Sequence, residues 1–170
     1  GLNTGPDGNN RCWWCGDDPL YMAYHDKEWG RKQTNDIRLF EKICLEGFQA
    51  GLSWITILRK RDNFRAAFEG FDFNKIAKYD EQKIASLLQN QGIIRHEGKI
   101  RSTINNAKRM QELLQEYSSF YQYLQQFSPS VTSRPKKADY ETLHKITMSE
   151  ESKALSKDLK KRGFSFVGPT

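Results

Sequence analysis

With 170 residues, 37% of them hydrophobic and 28% charged, the chain has the length for one sizeable core or two small lobes, and its helix-spaced apolar residues indicate a folded protein. No apolar run approaches the roughly 20 residues that span a bilayer and no secretory segment opens the sequence, which points to the cytoplasm. Lys and Arg number 27 against 21 Asp and Glu, a net charge of +6 that suits a polyanionic partner, and three cysteines form no even disulfide framework.

Residues 1–10 are rich in Gly and Asn without apolar periodicity and read as a disordered leader or appended remnant, so the expected domain is 11–170. Asp18 and Pro19 predict a helix to about Trp29, stopped by Gly30. A second helix is expected from Asn35 or Asp36 to about Gly47, a third from Ser53 to Lys60, and a short one over Arg61–Phe68. Ile84, Leu87 and Leu88 share a side of a helix over Glu81–Leu88, and a turn at Asn90-Gln91-Gly92 follows. Ile100, Ile104, Ala107, Leu114 and Tyr117 then mark a long amphipathic helix. Tyr121, Leu124 and Phe127 suggest another, Ser128–Tyr140 reads as a basic loop, and Thr147-Met148-Ser149-Glu150 reads as a capping box opening a helix to Lys161, with Gly163 as its stop. No strand is evident, and the fold class is all-α.

Leu39, Ile43 and Glu46 fall four and three apart, which places a carboxylate on an apolar stripe. A buried carboxylate either meets an internal donor or awaits a cationic or hydrogen-bonding ligand. Trp13, Trp14, Tyr21, Tyr24 and Trp29 cluster early, and Trp54 follows the Gly51 turn. Such rings are either core or the walls of a box for a flat cation. The stretch from Leu87 to Arg95 reads either as an ordinary helical hairpin or as one that aims backbone amides at phosphate, with Arg95, Lys99 and Arg101 supplying charge. Further basic residues gather at 134–137 and 157–162. Cys12-Trp13-Trp14-Cys15 lacks the context of a redox motif, whereas Cys12, His25 and Cys15 are metal-ligand types.

Taken together, Arg11-Cys12, Asp18-Pro19-Leu20-Tyr21, Tyr24 to Gly30, Cys44 to Trp54, Gly92 to Ile100 and Leu155 to Gly168 resemble the DNA-3-methyladenine glycosylase I family over most of the chain. The resemblance implies a bilobal helix-hairpin-helix glycosylase fold that binds alkylated double-stranded DNA as a monomer and flips the damaged base into a pocket. It implies hydrolysis of the N-glycosidic bond of 3-methyladenine to leave an abasic site. Glu46 would be the base-recognising glutamate, Tyr24 and Trp54 stacking rings, and Tyr21, Trp14, Trp29 and Gln49 the remaining base-binding residues. Gly51 and Leu52 would probe the gap in the duplex, and Gly92, Ile93, Arg95 and Lys99 would grip its backbone. The family's structural zinc would use Cys12 and His25 with a His and a Cys beyond the Phe-Val-Gly motif, two partners absent from this sequence. A non-catalytic hairpin DNA-binding module is the rival reading, and it leaves Glu46 and the rings without a role.

Overall fold

Capping chemistry sets the helix starts. In the computed structural model, which describes residues 1–130 and 139–170, Asp18 accepts from the amides of Leu20 and Tyr21 at 2.9 and 3.1 Å and opens α1 (Pro19–Lys27). Asn35 caps α2 (Asp36–Gln49), and α3 (Trp54–Ala67) follows the turn at Gly51. After the short α4 (Phe73–Ile76), Asp80 caps α5 (Glu81–Gln89) and the His96 ring accepts from the Lys99 amide to cap α6 (Glu97–Glu116). Ser119 and Asp139 open the short α7 (Phe120–Gln125) and α8 (Tyr140–Leu143), and α9 (Glu150–Lys161) closes the helical set.

Several expectations change. The segment read as an unstructured leader pairs: β1 (Leu2–Thr4) runs antiparallel to β2 (Asn10–Cys12), with Asn3 opposite Arg11. This small sheet is held by Arg11, which is buried and forks between the Asp7 and Asp26 carboxylates at 2.7–3.1 Å. The guanidinium holds Asp26 down to about 2. A depressed carboxylate stabilises the fold above its ordinary range near pH 4 and loses that contribution as pH falls through about 2. The clamp is therefore intact at neutral pH.

α3 is one helix, not two, because Ile57, Leu58, Phe64 and Ala67 keep a buried face along its whole length. α1 stops two residues before Trp29, and α2 runs through Gly47 to Gln49. The capping box of α9 is formed by Ser149 and Ser152 rather than from Thr147, and Gly163 stops the helix at φ +85°. Most of the basic loop lies outside the described residues.

One core runs through α2–α7, α9 and the C-terminal segment, with Phe40, Cys44, Phe48, Phe64, Phe68, Ile100, Ala107 and Met110 at its centre. The Phe48 and Phe64 ring centroids are 4.6 Å apart. The C-terminal segment is sewn down by polar pairs: Asn106 exchanges two 2.9 Å bonds with the Ser165 backbone, and Ser156 donates to Val167 O at 2.6 Å. It crosses α2 so closely that a Cβ at Gly47 would lie 3.2 Å from Phe166.

Candidate active site

α1, α2 and α3 converge on a cavity of about 670 Å³. Two ion pairs fix α1 against α3, Asp18–Arg59 at 2.6 Å from one end and Glu28–Arg61 at 2.7 Å from the other. They hold Tyr24 against the Trp54 ring, with Tyr21 beside Tyr24. Trp14 completes the wall, its ring 5.1 Å from Tyr21 and 5.2 Å from Trp29, while Tyr24 and Trp54 stand 5.6 Å apart. The cavity is thus lined by Trp14, Tyr21, Tyr24, Trp29 and Trp54 on the aromatic side and by Leu45, Glu46 and Gln49 on the α2 side. Burial pushes the Tyr21 hydroxyl above its ordinary pKa, so it stays protonated and able to donate.

Glu46 is not buried. Its side chain is 48% exposed on the cavity wall and pairs with Lys42 at 3.0 Å. The buried carboxylate of α2 is Glu41, held by Arg38 at 2.6 Å and Arg65 at 2.7 Å. The core stripe of the helix runs through Phe40, Cys44 and Phe48, so Leu39, Ile43 and Glu46 lie one position round the helix, where the core gives way to the cavity. Glu46 is therefore an accessible carboxylate beside ring faces, an arrangement that accepts a flat cation. The Trp54 indole N–H is buried without a partner among the described residues.

The Gly51 turn leaves α2 at φ +80° with open space where a Cβ would stand, and Leu52 beside it is 40% exposed. The hairpin between α5 and α6 packs against α3: a Cβ at Gly92 would lie 3.1 Å from Asn63, and the Gly92 amide already donates to Asn90 Oδ1 at 2.8 Å. Arg95 is exposed and in no ion pair among the described residues. Ile93 is a core residue at 3% exposure, which removes its side chain from any DNA-facing role. Lys99 is likewise buried, its ammonium donating to Phe48 O at 2.9 Å and Ala50 O at 2.6 Å. It satisfies carbonyls at the end of α2, and desolvation lowers its pKa. Arg101 closes bidentately on Glu81 at 2.7 and 2.8 Å and also binds Glu97, so its charge is spent within the hairpin.

Against this geometry, the match to known proteins decides the family. The methyladenine glycosylase family model matches residues 14–170. The chain belongs to the methyladenine glycosylase family. It is 50% identical over 161 residues to DNA-3-methyladenine glycosylase 1 of Escherichia coli (strain K12), covering 94% of this chain and 84% of that protein. The corresponding figures for the DNA-3-methyladenine glycosylase of Haemophilus influenzae are 47%, 94% and 85%. A crystal structure of a 3-methyladenine DNA glycosylase I variant in complex with 3-methyladenine superposes with a TM-score of 0.82 at 36% identity, over 94% of this chain and 84% of that one. The methyladenine glycosylase fold is thus the one described above.

The structure gathers the expected pocket residues of this methyladenine glycosylase around one cavity and parts the expected DNA-binding set. Gly51, Leu52 and Arg95 reach the surface and Gly92 sits in the hairpin, whereas Ile93 and Lys99 are internal. Cys12 and His25 are neighbours, but His25 Nε2 accepts from the Cys12 amide at 3.3 Å and Nδ1 faces Asp26 at 2.9 Å. No three His, Cys, Asp or Glu side chains gather as a metal-binding group among the described residues. Among the described residues these two donors, with both ring nitrogens engaged, do not make up the four that a closed zinc site needs. Sequence reasoning passed over Lys42, Glu41, Arg59 and Arg61. Lys42 was legible as the partner four residues before Glu46 on a helix, and Glu41 as the partner three residues after Arg38, whereas Arg59 and Arg61 are recognisable only once α1 is placed against α3.

Proposed function

We propose that this chain excises 3-methyladenine from alkylated double-stranded DNA, acting as a monomer and leaving an abasic site. The observation that carries the reading is the ring-walled cavity with an accessible carboxylate, Glu46, on its helical wall. Methylation at N3 gives the base a positive charge and weakens its bond to deoxyribose. A flipped base of this kind fits against the Tyr24 and Trp54 rings, with Glu46 as counter-charge and hydrogen-bond acceptor and Gln49 beside it. Because the leaving group is already cationic, strong acid assistance is unnecessary. The site's work is to hold the base out of the helix and stabilise the oxocarbenium-like sugar as water attacks. Leu52, at the tip of the Gly51 turn, fills the gap that flipping leaves. Arg95 and the N-terminal turn of α6 face the phosphate backbone.

Release of free 3-methyladenine from methylated duplex DNA tests the proposal, and a purified chain that releases none rejects it. Duplex affinity is expected to fall steeply as salt rises in a fluorescence-anisotropy titration, since phosphate contacts release counterions. Salt-insensitive binding would remove the backbone contacts from this reading. For zinc, the engaged nitrogens of His25 set the expectation that the purified chain carries much less than one ion per molecule. One tightly held zinc per chain, lost in Cys12→Ser, would overturn this.

A further inference from the structure

Lys42 reaches into the base pocket along its α2 wall. Its ammonium lies 3.8 Å from the centroid of the Trp54 ring and 5.1 Å from that of Tyr24, donates to the Tyr24 hydroxyl at 2.7 Å, and pairs with Glu46 at 3.0 Å. These are the rings and the carboxylate assigned above to the base. Two cations do not share one carboxylate and one ring face without repulsion, so a charged base and this ammonium compete for them.

We propose that Lys42 is a resident competitor of the base pocket: it swings out to admit the cationic base and returns to help expel the excised one. The proposal rests on the glycosylase reading. The lysine stem is flexible and its side chain is 43% exposed, so the ammonium has a route to solvent. Cleavage supplies the reset. The electron pair of the glycosidic bond moves onto the purine and cancels its charge, while water adds to the sugar carbon and gives up a proton to bulk water. The repulsion that held Lys42 away disappears at that moment, and the ammonium regains Glu46 and the Trp54 face in competition with a neutral product. Lys42 thereby sets the affinity of the pocket for free base rather than acting on the reacting bond.

Binding of free 3-methyladenine at pH 8, measured calorimetrically for wild type, Lys42→Met and Lys42→Arg, tests the proposal together with single-turnover excision from methylated duplex. Removing an exposed ion pair and a ring contact is expected to tighten binding by about threefold to tenfold in Lys42→Met, while Lys42→Arg stays near wild type. Unchanged or weaker binding in Lys42→Met overturns the proposal. Slower single turnover without a gain in affinity also overturns it, and assigns Lys42 to positioning Glu46 instead. A wild type that neither binds nor releases the base fails the glycosylase reading and this proposal with it. An active wild type with unchanged affinity in the Met variant fails the Lys42 assignment alone.

Discussion

Replacing Glu46 by Gln or Ala is expected to lower release of 3-methyladenine from methylated duplex DNA by well over about tenfold, more than roughly 1.4 kcal/mol of transition-state stabilisation. The fold should persist. Glu46 is half exposed and its partner Lys42 is equally open, and such surface pairs contribute only about 0.5 kcal/mol. The thermal midpoint should therefore stay within about 2 °C of wild type, a shift of the size expected for so small a change in a chain of this length. Gln keeps the shape and one acceptor oxygen but not the charge, so it separates shape from electrostatics. Full excision activity in both variants would remove Glu46 from the pocket chemistry. A large fall in melting temperature would show instead that it holds the structure together.

Lys99→Met is expected to behave in the opposite way. The ammonium is buried and satisfies two carbonyls where α2 ends and the Gly51 turn begins. Met matches its length but leaves Phe48 O and Ala50 O short of a donor. Charge-assisted bonds are worth about 1.5–3 kcal/mol each, partly offset here by relief of the ammonium's own burial. A net loss of about 2 kcal/mol, or about 4–8 °C in the melting temperature, is the expected result. Excision should fall as well, because the turn carrying Leu52 loses its anchor to α6. The slope of DNA affinity against salt should not change, since this lysine touches no phosphate. A flatter slope with unchanged stability would restore Lys99 to the DNA-binding surface.

These two residues show what sequence patterns convey and what they miss. Asp18-Pro19, the Asn90-Gln91-Gly92 turn and the Gly163 stop were readable because capping and turn chemistry is local. The helical stripe of α6 was readable because periodicity needs no partner. The pocket residues were readable through the family motif and the density of rings, and the cavity that joins them is one the chain forms from three separate helices. The burial of Glu46 was misjudged because a stripe defined by Leu39 and Ile43 lies only one position from the true core stripe of Phe40, Cys44 and Phe48. On a helix, that offset separates the core from the cavity wall.

The sequence by itself determined the helical class, the family and the identity of the rings and carboxylate that line the pocket, because these rest on spacing and on side-chain chemistry. Only the tertiary structure decided which charges are spent internally. Arg11 is consumed by Asp7 and Asp26, Arg101 by Glu81 and Glu97, Lys99 by two carbonyls of α2, and Lys42 by the pocket itself. A charge's availability depends on what folding brings within about 4 Å of it, where its interaction outweighs screening by water. Most of those partners lie on other elements, beyond the reach of any local pattern.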